Sequence, residues 1–207
     1  MTATTVDCSN FSAGGPAQFF TELIFQRLVT LGKRLFLTLD RTHWQQGKTH
    51  QNLLCLGLLH KRVSIPIEST SLGKAGNSST RERDRLLKKA LAYLPADRCC
   101  LLADRKFISY EWPRFLRDQS LDFVIRLRSN YCIETTDKHR RHLELNTRRQ
   151  EKNTTWHYED ALLYGRLRVH IVCLRPAKGE RLFLVTNRAK EKAQQLLDAT
   201  RLLVSSR

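Results

Sequence analysis

Two short apolar runs, each ending in an aspartate, constrain how this chain can fold. The first run is LFLTLDRTHW at 35–44, and the second is CCLLADRKF at 99–107. With the two-residue alternation of a β-strand, Asp40 lies on one face of the first strand and the leucines of the run lie on the other. Apolar residues on both faces are typical of interior strands. The runs therefore predict a sheet that is covered on both sides.

The two aspartates indicate a metal site. In the second run, Asp104 shares a face with Cys100 and Leu102 when the residues alternate as in a strand. A carboxylate at the end of a buried strand is costly unless it has a partner or a metal. If the two strands are neighbours, Asp40 and Asp104 come together, and converging carboxylates are what a hard cation such as Mg²⁺ requires.

The order of the remaining elements follows from periodicity. The runs LLCLGLLHKR and VSIPIEST predict two strands after the first, as an antiparallel meander. Ser79 and Glu82 predict a capping box for a helix that ends at Leu94, before Pro95. A strand, a short helix around 111–118 and another strand follow. Between 131 and 180, short alternating runs separated by basic turns predict a mainly β segment.

The motifs resemble the DDE-class insertion-sequence transposases, whose catalytic domain has the RNase H-like fold. DRTHW, LLADRKF, FVIRLRSN and LFLVTNR occur in the family's order, over roughly 33–200. The resemblance implies an α/β fold with an RNase H-like mixed sheet flanked by helices and a mainly β insertion before the last helix. The expected division is a loose lead-in at 1–30, the first part of the core at 31–130, the insertion at 131–180, and a last core strand with a truncated catalytic helix at 181–207.

The resemblance also implies the chemistry. Asp40 and Asp104 would be catalytic residues and ligands of a two-metal Mg²⁺ or Mn²⁺ site, which cleaves and joins transposon ends in double-stranded DNA. Without metal, like charges this close are expected to loosen the site. The family's third acid is a glutamate in a Y-x-x-R-x-x-x-E signature, and Arg207 falls at that position. Glu191 is the nearest acid of its type. We therefore expect an incomplete site in a truncated or frameshifted copy that, as written, does not cleave or join transposon ends, and enzymatic activity stays open.

The charge of the chain favours a polyanionic partner. Lys and Arg number 36 against 20 acids, giving a net charge of +16 and a pI near 10.1. In the predicted helix at 79–94, the cations, Arg83 and Lys89 among them, are expected to face solvent or phosphate. Solvated faces without a partner are the alternative. The candidate DNA-binding residues are Arg81, Arg85, Lys88, Arg140, Arg141, Arg148, Arg149 and Lys152.

Other features bound the compartment and the remaining ligands. No apolar run approaches the ~20 residues of a membrane span, and no signal peptide is recognisable, so we expect no membrane partner and a cytoplasmic protein that is nucleoid-associated on DNA. The six cysteines lack a C-x-x-C pair and are expected to be buried as in a reducing cell. A zinc site at Cys132, His139 and His142 is a weaker alternative. Trp156 and Tyr158 fit core packing better than base stacking.

Three functions remain open at this point. The first is a DDE transposase acting on transposon ends. The second is a catalytically inactive fragment that binds DNA or dimerises, and a homodimer is left open in either case. The third is an unrelated RNase H-like nuclease or a structural nucleic-acid binder. The first two share a fold and differ in whether the metal site is complete.

Overall fold

The computed structural model describes residues 34–46, 49–60, 63–134, 140–143 and 147–188. This part of the chain contains ten β-strands, two α-helices and two 3₁₀ turns. The strands are β1 Leu35–Gln46, β2 Thr49–His60, β3 Val63–Ser71, β4 Cys99–Ala103, β5 Asp122–Leu127, β6 Cys132–Glu134, β7 Arg140–His142, β8 Thr154–Leu163, β9 Leu167–Arg175 and β10 Leu182–Thr186. The helices are α1 Thr80–Leu91 and α2 Glu111–Asp118, and the turns are Ala96–Arg98 and Arg105–Phe107.

All ten strands belong to one mixed sheet with the order β3-β2-β1-β4-β5-β10-β9-β8-β6-β7. The first three strands form the predicted antiparallel meander. Strands β1, β4 and β5 then run parallel to one another, and α1 and α2 occupy the two crossovers. This order of strands and helices confirms the predicted RNase H-like α/β fold. A parallel strand needs a crossover connection, which is usually a helix.

The central strands are covered on both faces. One face packs Leu37, Leu101 and Ile125 against residues of α1 and α2. We call this the helix face. On the opposite face, Cys100, Leu102, Val124 and Leu184 form a second apolar cluster. Alternate residues of β4 and β5 thus enter different cores, as the unbroken apolar runs predicted.

The predicted β segment at 131–180 forms strands β6 to β9, which extend the same sheet beyond β10. A bulge between Tyr158 and Ala161 bends β8, and Asp160 takes a positive φ of 58° there. Tyr164, in the turn after β8, contacts the rings of Tyr110 and Tyr131. The domain boundaries stay a prediction, and the lead-in at 1–30 and the helix expected after residue 188 lie outside the described residues.

Helix α1 begins as predicted and ends earlier. The Ser79 hydroxyl accepts a hydrogen bond from the backbone N–H of Glu82, whose carboxylate accepts one from the backbone N–H of Ser79. The helix ends at Leu91 and not at Leu94, with a turn before Pro95. The reason is that proline disfavours helical backbone in the residue before it. Among the described residues, no helix is long and apolar enough to cross a membrane.

Candidate functional site

The pairing of β1 with β4 brings the two predicted acids together. Leu39 is the register partner of Ala103, so Asp40 and Asp104 occupy equivalent positions at the end of this parallel ladder. Neighbouring strands are about 4.8 Å apart. Leu39 and Ala103 both pack on the helix face. The residues that follow them therefore face the other side of the sheet, since the backbone of Asp104 is still extended at φ −79° and ψ 164°.

The Asp40 carboxylate is exposed and already has a cationic partner. Its side chain is 54% exposed, and Oδ1 accepts hydrogen bonds of 2.7 Å from the backbone N–H of Arg41 and from Nζ of Lys106. The Lys106 ammonium also lies 3.5 Å from the carbonyl oxygen of Arg41. This ion pair compensates one of the two like charges, and the expected loosening of the site without metal stays a prediction.

Sequence reasoning did not predict the contact of Lys106 with Asp40. Lys106 is in the 3₁₀ turn that follows β4. The signal in the sequence was a cation two positions after Asp104. From the turn, its side chain reaches Asp40 on β1.

A buried arginine supports the turn that carries Asp104. The carbonyl of Asp104 accepts a hydrogen bond from the backbone N–H of Phe107, whose ring is buried. Nη1 of Arg83, on α1, donates to the carbonyl of Phe107 at 2.6 Å, and its guanidinium lies 5.1 Å from the centre of the Trp112 ring. Burial lowers the pKa of Arg83, although nearby carboxylates oppose the shift. The expectation that Arg83 faces solvent or phosphate is wrong, because these backbone acceptors draw it into the core.

The loop before α1 is hydrogen-bonded to side chains of β1 and β2. Nδ2 of buried Asn52 donates to the carbonyls of Lys74 and Gly76, each at 2.9 Å, and Arg41 also donates to the Gly76 carbonyl. Gly76 has φ +91°, which strains any other residue. Arg41, the residue after Asp40, is therefore hydrogen-bonded to the loop that precedes α1.

The donor set fits a divalent metal ion in its chemistry. Asp40 and Asp104 supply carboxylate oxygens just beyond the last register pair of β1 and β4, and such oxygens suit Mg²⁺ or Mn²⁺ better than a soft metal. Within the described ranges, no group of three or more acidic, histidine or cysteine side chains could hold a metal. Glu191 and Arg207 lie outside those ranges, so the incomplete site and the truncated copy stay predictions.

The zinc alternative is supported by one contact, between Cys132 and His142, and the described residues supply no third ligand. Sγ of Cys132 lies 3.4 and 3.5 Å from the two ring nitrogens of His142, because these residues pair across β6 and β7. His139 lies outside the described residues. Cys99, Cys100 and Cys173 are buried as expected, and burial raises the pKa of Cys99 to about 12. Cys132 is exposed, against the same expectation, because β6 lies near the sheet margin.

The candidate DNA-binding residues fall into two groups. Arg81, Arg85 and Lys88 are exposed on α1, which packs on the helix face, away from the side that Asp40 and Asp104 face. The second group is on the loop before β8 and comprises Arg148, Arg149 and Lys152, all exposed. Arg140 and Arg141 are in β7, and their side chains lie outside the description.

The second group lies at the same edge of the sheet as the acids. Strand β9 runs in the same direction as β5, and its last residue, Arg175, pairs with Thr154 at the start of β8. The loop 147–153 therefore emerges where β4 and β5 end. Trp156 and Tyr158 pack against the helix-face core, with ring centroids 5.7 Å apart, which favours the core interpretation.

Comparisons with known proteins give one extended match. The family model described as the transposase DDE domain matches residues 33–202. No curated protein matches the chain in a sequence comparison.

Several solved structures align with this chain at low identity. A piggyBac transposase synaptic complex with hairpin DNA aligns at 14% identity and a TM-score of 0.48, over 75% of this chain and 33% of that one. Endonuclease V from Bacillus subtilis aligns at 11% identity and a TM-score of 0.39, over 85% of this chain and 78% of that one. Ciona intestinalis endonuclease V, in complex with inosine-containing DNA, aligns at 12% identity and a TM-score of 0.42, over 79% of this chain and 76% of that one. The chain thus spans about a third of the piggyBac chain.

Proposed function

The chain belongs to the transposase DDE domain family, and we propose that it acts in DNA transposition, where it binds duplex DNA and supplies Asp40 and Asp104 to metal-dependent cleavage and strand transfer at the ends of an insertion sequence. The observation that carries the proposal is the register of β1 and β4, because it gives Asp40 and Asp104 equivalent positions on adjacent parallel strands. A cytoplasmic location, with the protein on the nucleoid when DNA-bound, and a homodimer belong to the same proposal.

In this proposal Asp40 and Asp104 hold Mg²⁺ or Mn²⁺. Bound there, the metal would supply positive charge to a phosphate group and lower the pKa of a water molecule or hydroxyl group that acts as nucleophile. The chain contributes rigidity. The β1–β4 ladder sets the spacing of the two acids, and Phe107 and Arg83 hold the turn that follows Asp104. Such support matters because misplacing a reacting group by about 1 Å can cost on the order of 10²-fold in rate.

The DNA path proposed here follows the edge of the sheet at which β4 and β5 end. From β4 to β8 there are four strand-to-strand steps in the order β4-β5-β10-β9-β8, or roughly 19 Å at about 4.8 Å each. That distance corresponds to roughly six base pairs, at about 3.4 Å per pair. DNA whose phosphates contact Arg148, Arg149 and Lys152 would therefore extend to the acids. Glu151, in the same loop, weakens the local field without reversing it.

Cleavage tests the metal chemistry. The full chain is incubated with supercoiled plasmid and with labelled end-bearing duplex, in Mg²⁺ or Mn²⁺. Nicking that Asp40→Asn and Asp104→Asn each reduce by orders of magnitude would support this chemistry, and Asp118→Asn, which changes an exposed acid at the end of α2, is the control that should retain it. Nicking that survives Asp40→Asn would refute the assigned role.

Salt-dependent binding tests the DNA path. Replacing Arg148, Arg149 and Lys152 by glutamine should lower the slope of log affinity against log salt by about 2–3, at about 0.9 per lost phosphate contact. The matched control replaces Arg81, Arg85 and Lys88, which removes the same charge from α1 and should change the slope less. Equal effects would refute the proposed path, and binding that is indifferent to salt would refute a DNA role.

The second candidate is a catalytically inactive DNA-binding protein with the same fold. It is favoured by the Lys106–Asp40 ion pair and by the lack of a three-ligand cluster among the described residues. Salt-dependent DNA binding without nicking in either metal would select this candidate.

A further inference from the structure

We propose that Lys106 competes with the divalent cation for Asp40, so that its ammonium neutralises this carboxylate in the metal-free protein and leaves it when metal binds. The inference rests on the proposed metal site. It assigns to Lys106 a regulatory contact and not a catalytic one.

The geometry supports direct competition for one oxygen atom. Nζ of Lys106 is 2.7 Å from Oδ1 of Asp40, the same atom that accepts from the backbone of Arg41. A magnesium ion binds a carboxylate oxygen at about 2.0–2.1 Å with a near-octahedral set of further ligands. The Lys106 ammonium occupies one lone-pair direction of Oδ1, and the Arg41 N–H occupies another. Metal and ammonium therefore exclude each other at Oδ1.

The lysine is held in this position by more than the ion pair. Its Nζ lies 3.5 Å from the carbonyl oxygen of Arg41 and 5.2 Å from the centre of the Phe107 ring, and its side chain is only 26% exposed. The buried Phe107 fixes the turn, and the hydrogen bond from Arg83 to Phe107 fixes it further. The turn Arg105–Phe107 thus holds the Lys106 ammonium against Asp40.

The size of the effect follows from two contributions. An exposed ion pair is weak, so breaking it alone changes affinity only a few-fold. A divalent ion at this site would also be repelled by an ammonium at roughly 4 Å, with twice the energy of two unit charges. Together these contributions predict that removing the lysine charge tightens metal binding roughly tenfold. The same change would favour a metal-bound site at low metal concentration.

Direct titration with Mn²⁺ tests the inference without requiring activity. The dissociation constant is measured calorimetrically on the full chain for the unchanged protein, Lys106→Met, Lys106→Gln and Asp40→Asn. Lys178→Met is the matched control, since it removes one charge from an exposed loop between β9 and β10. We expect both Lys106 variants to bind Mn²⁺ roughly tenfold more tightly, and Lys178→Met to bind as the unchanged protein does.

Two other results have distinct meanings. If Asp40→Asn abolishes binding and both Lys106 variants keep the original dissociation constant, competition by Lys106 is refuted and the metal site stands. If no variant binds Mn²⁺ in a manner that depends on Asp40, the proposed metal site is refuted, and the competition falls with it.

Discussion

Replacing Arg83 by methionine removes the contacts through which helix α1 holds the turn after Asp104. The guanidinium donates to the carbonyl of Phe107 at 2.6 Å, to the carbonyl of Ser79 at 3.2 Å and to the hydroxyl of Thr80 at 3.2 Å. It also lies over the Trp112 ring. Methionine retains the apolar stem and a similar helix propensity, so the change isolates the charged group.

The expected loss of stability is about 2–3 kcal/mol. A hydrogen bond to a charged group contributes about 1.5–3 kcal/mol, and an acceptor left unsatisfied in the core costs about 1–3 kcal/mol. Because Arg83 is 6% exposed, water cannot readily replace the hydrogen bonds that the substitution removes. For a chain of this size, each kcal/mol lowers the melting temperature by about 2–4 °C, which gives a decrease of about 4–12 °C.

Urea unfolding, followed by circular dichroism, measures the difference. Arg85→Met is the control, because Arg85 is exposed on the same helix and its loss should change the free energy of unfolding by at most about 0.5 kcal/mol. If Arg83→Met is as stable as Arg85→Met, then the buried guanidinium does not hold the turn, and the support proposed for Asp104 is wrong.

Two further predictions concern other parts of the fold. Asp122 is 5% exposed and forms ion pairs of 2.5 Å with Arg34 and with Arg188. Asp122→Asn should therefore lower the free energy of unfolding in urea by about 2–4 kcal/mol, less than for a fully buried pair because both arginines are partly exposed. Asp118→Asn is the control, and equal stability of the two variants would contradict the prediction. A thiol reagent at neutral pH should label exposed Cys132 much faster than Cys99, whose pKa burial raises to about 12, as peptide mapping of the native protein would show; faster labelling of Cys99 would place β4 outside the core.

Local patterns in the sequence were sufficient for the elements that carry the acids. The apolar alternation in LFLTLD and CCLLAD predicted two interior strands, and the structure has Leu39 and Ala103 as register partners. The Ser79–Glu82 capping box also follows from spacing alone and is confirmed, because capping depends on residues three apart.

The contacts of Arg83 and Lys106 could not be predicted in the same way. Both are long cations, and a pattern of polar residues assigns such side chains to solvent. Their partners, the Phe107 carbonyl and the Asp40 carboxylate, are 24 and 66 residues away in sequence. These contacts exist only once β1 has paired with β4 and α1 has packed. The pairing of β10 with β5 could not be predicted from the sequence for the same reason, since a strand's own sequence does not specify its neighbour.

The two ends of the parallel strands carry acids with opposite roles. Where β5 begins, Asp122 is buried between Arg34, which precedes β1, and Arg188, which follows β10, so its charge is used to join three strands. Where β1's ladder with β4 ends, Asp40 is half exposed and is paired with a lysine from a turn. In open α/β sheets, ligand sites form outside the carboxyl ends of the strands, because backbone and helices cover the rest. A carboxylate locked between two arginines cannot exchange its partner for a metal, whereas one paired with a partly exposed ammonium can. The difference in burial and pairing therefore argues that Asp40, and not Asp122, is the acid available for ligand binding.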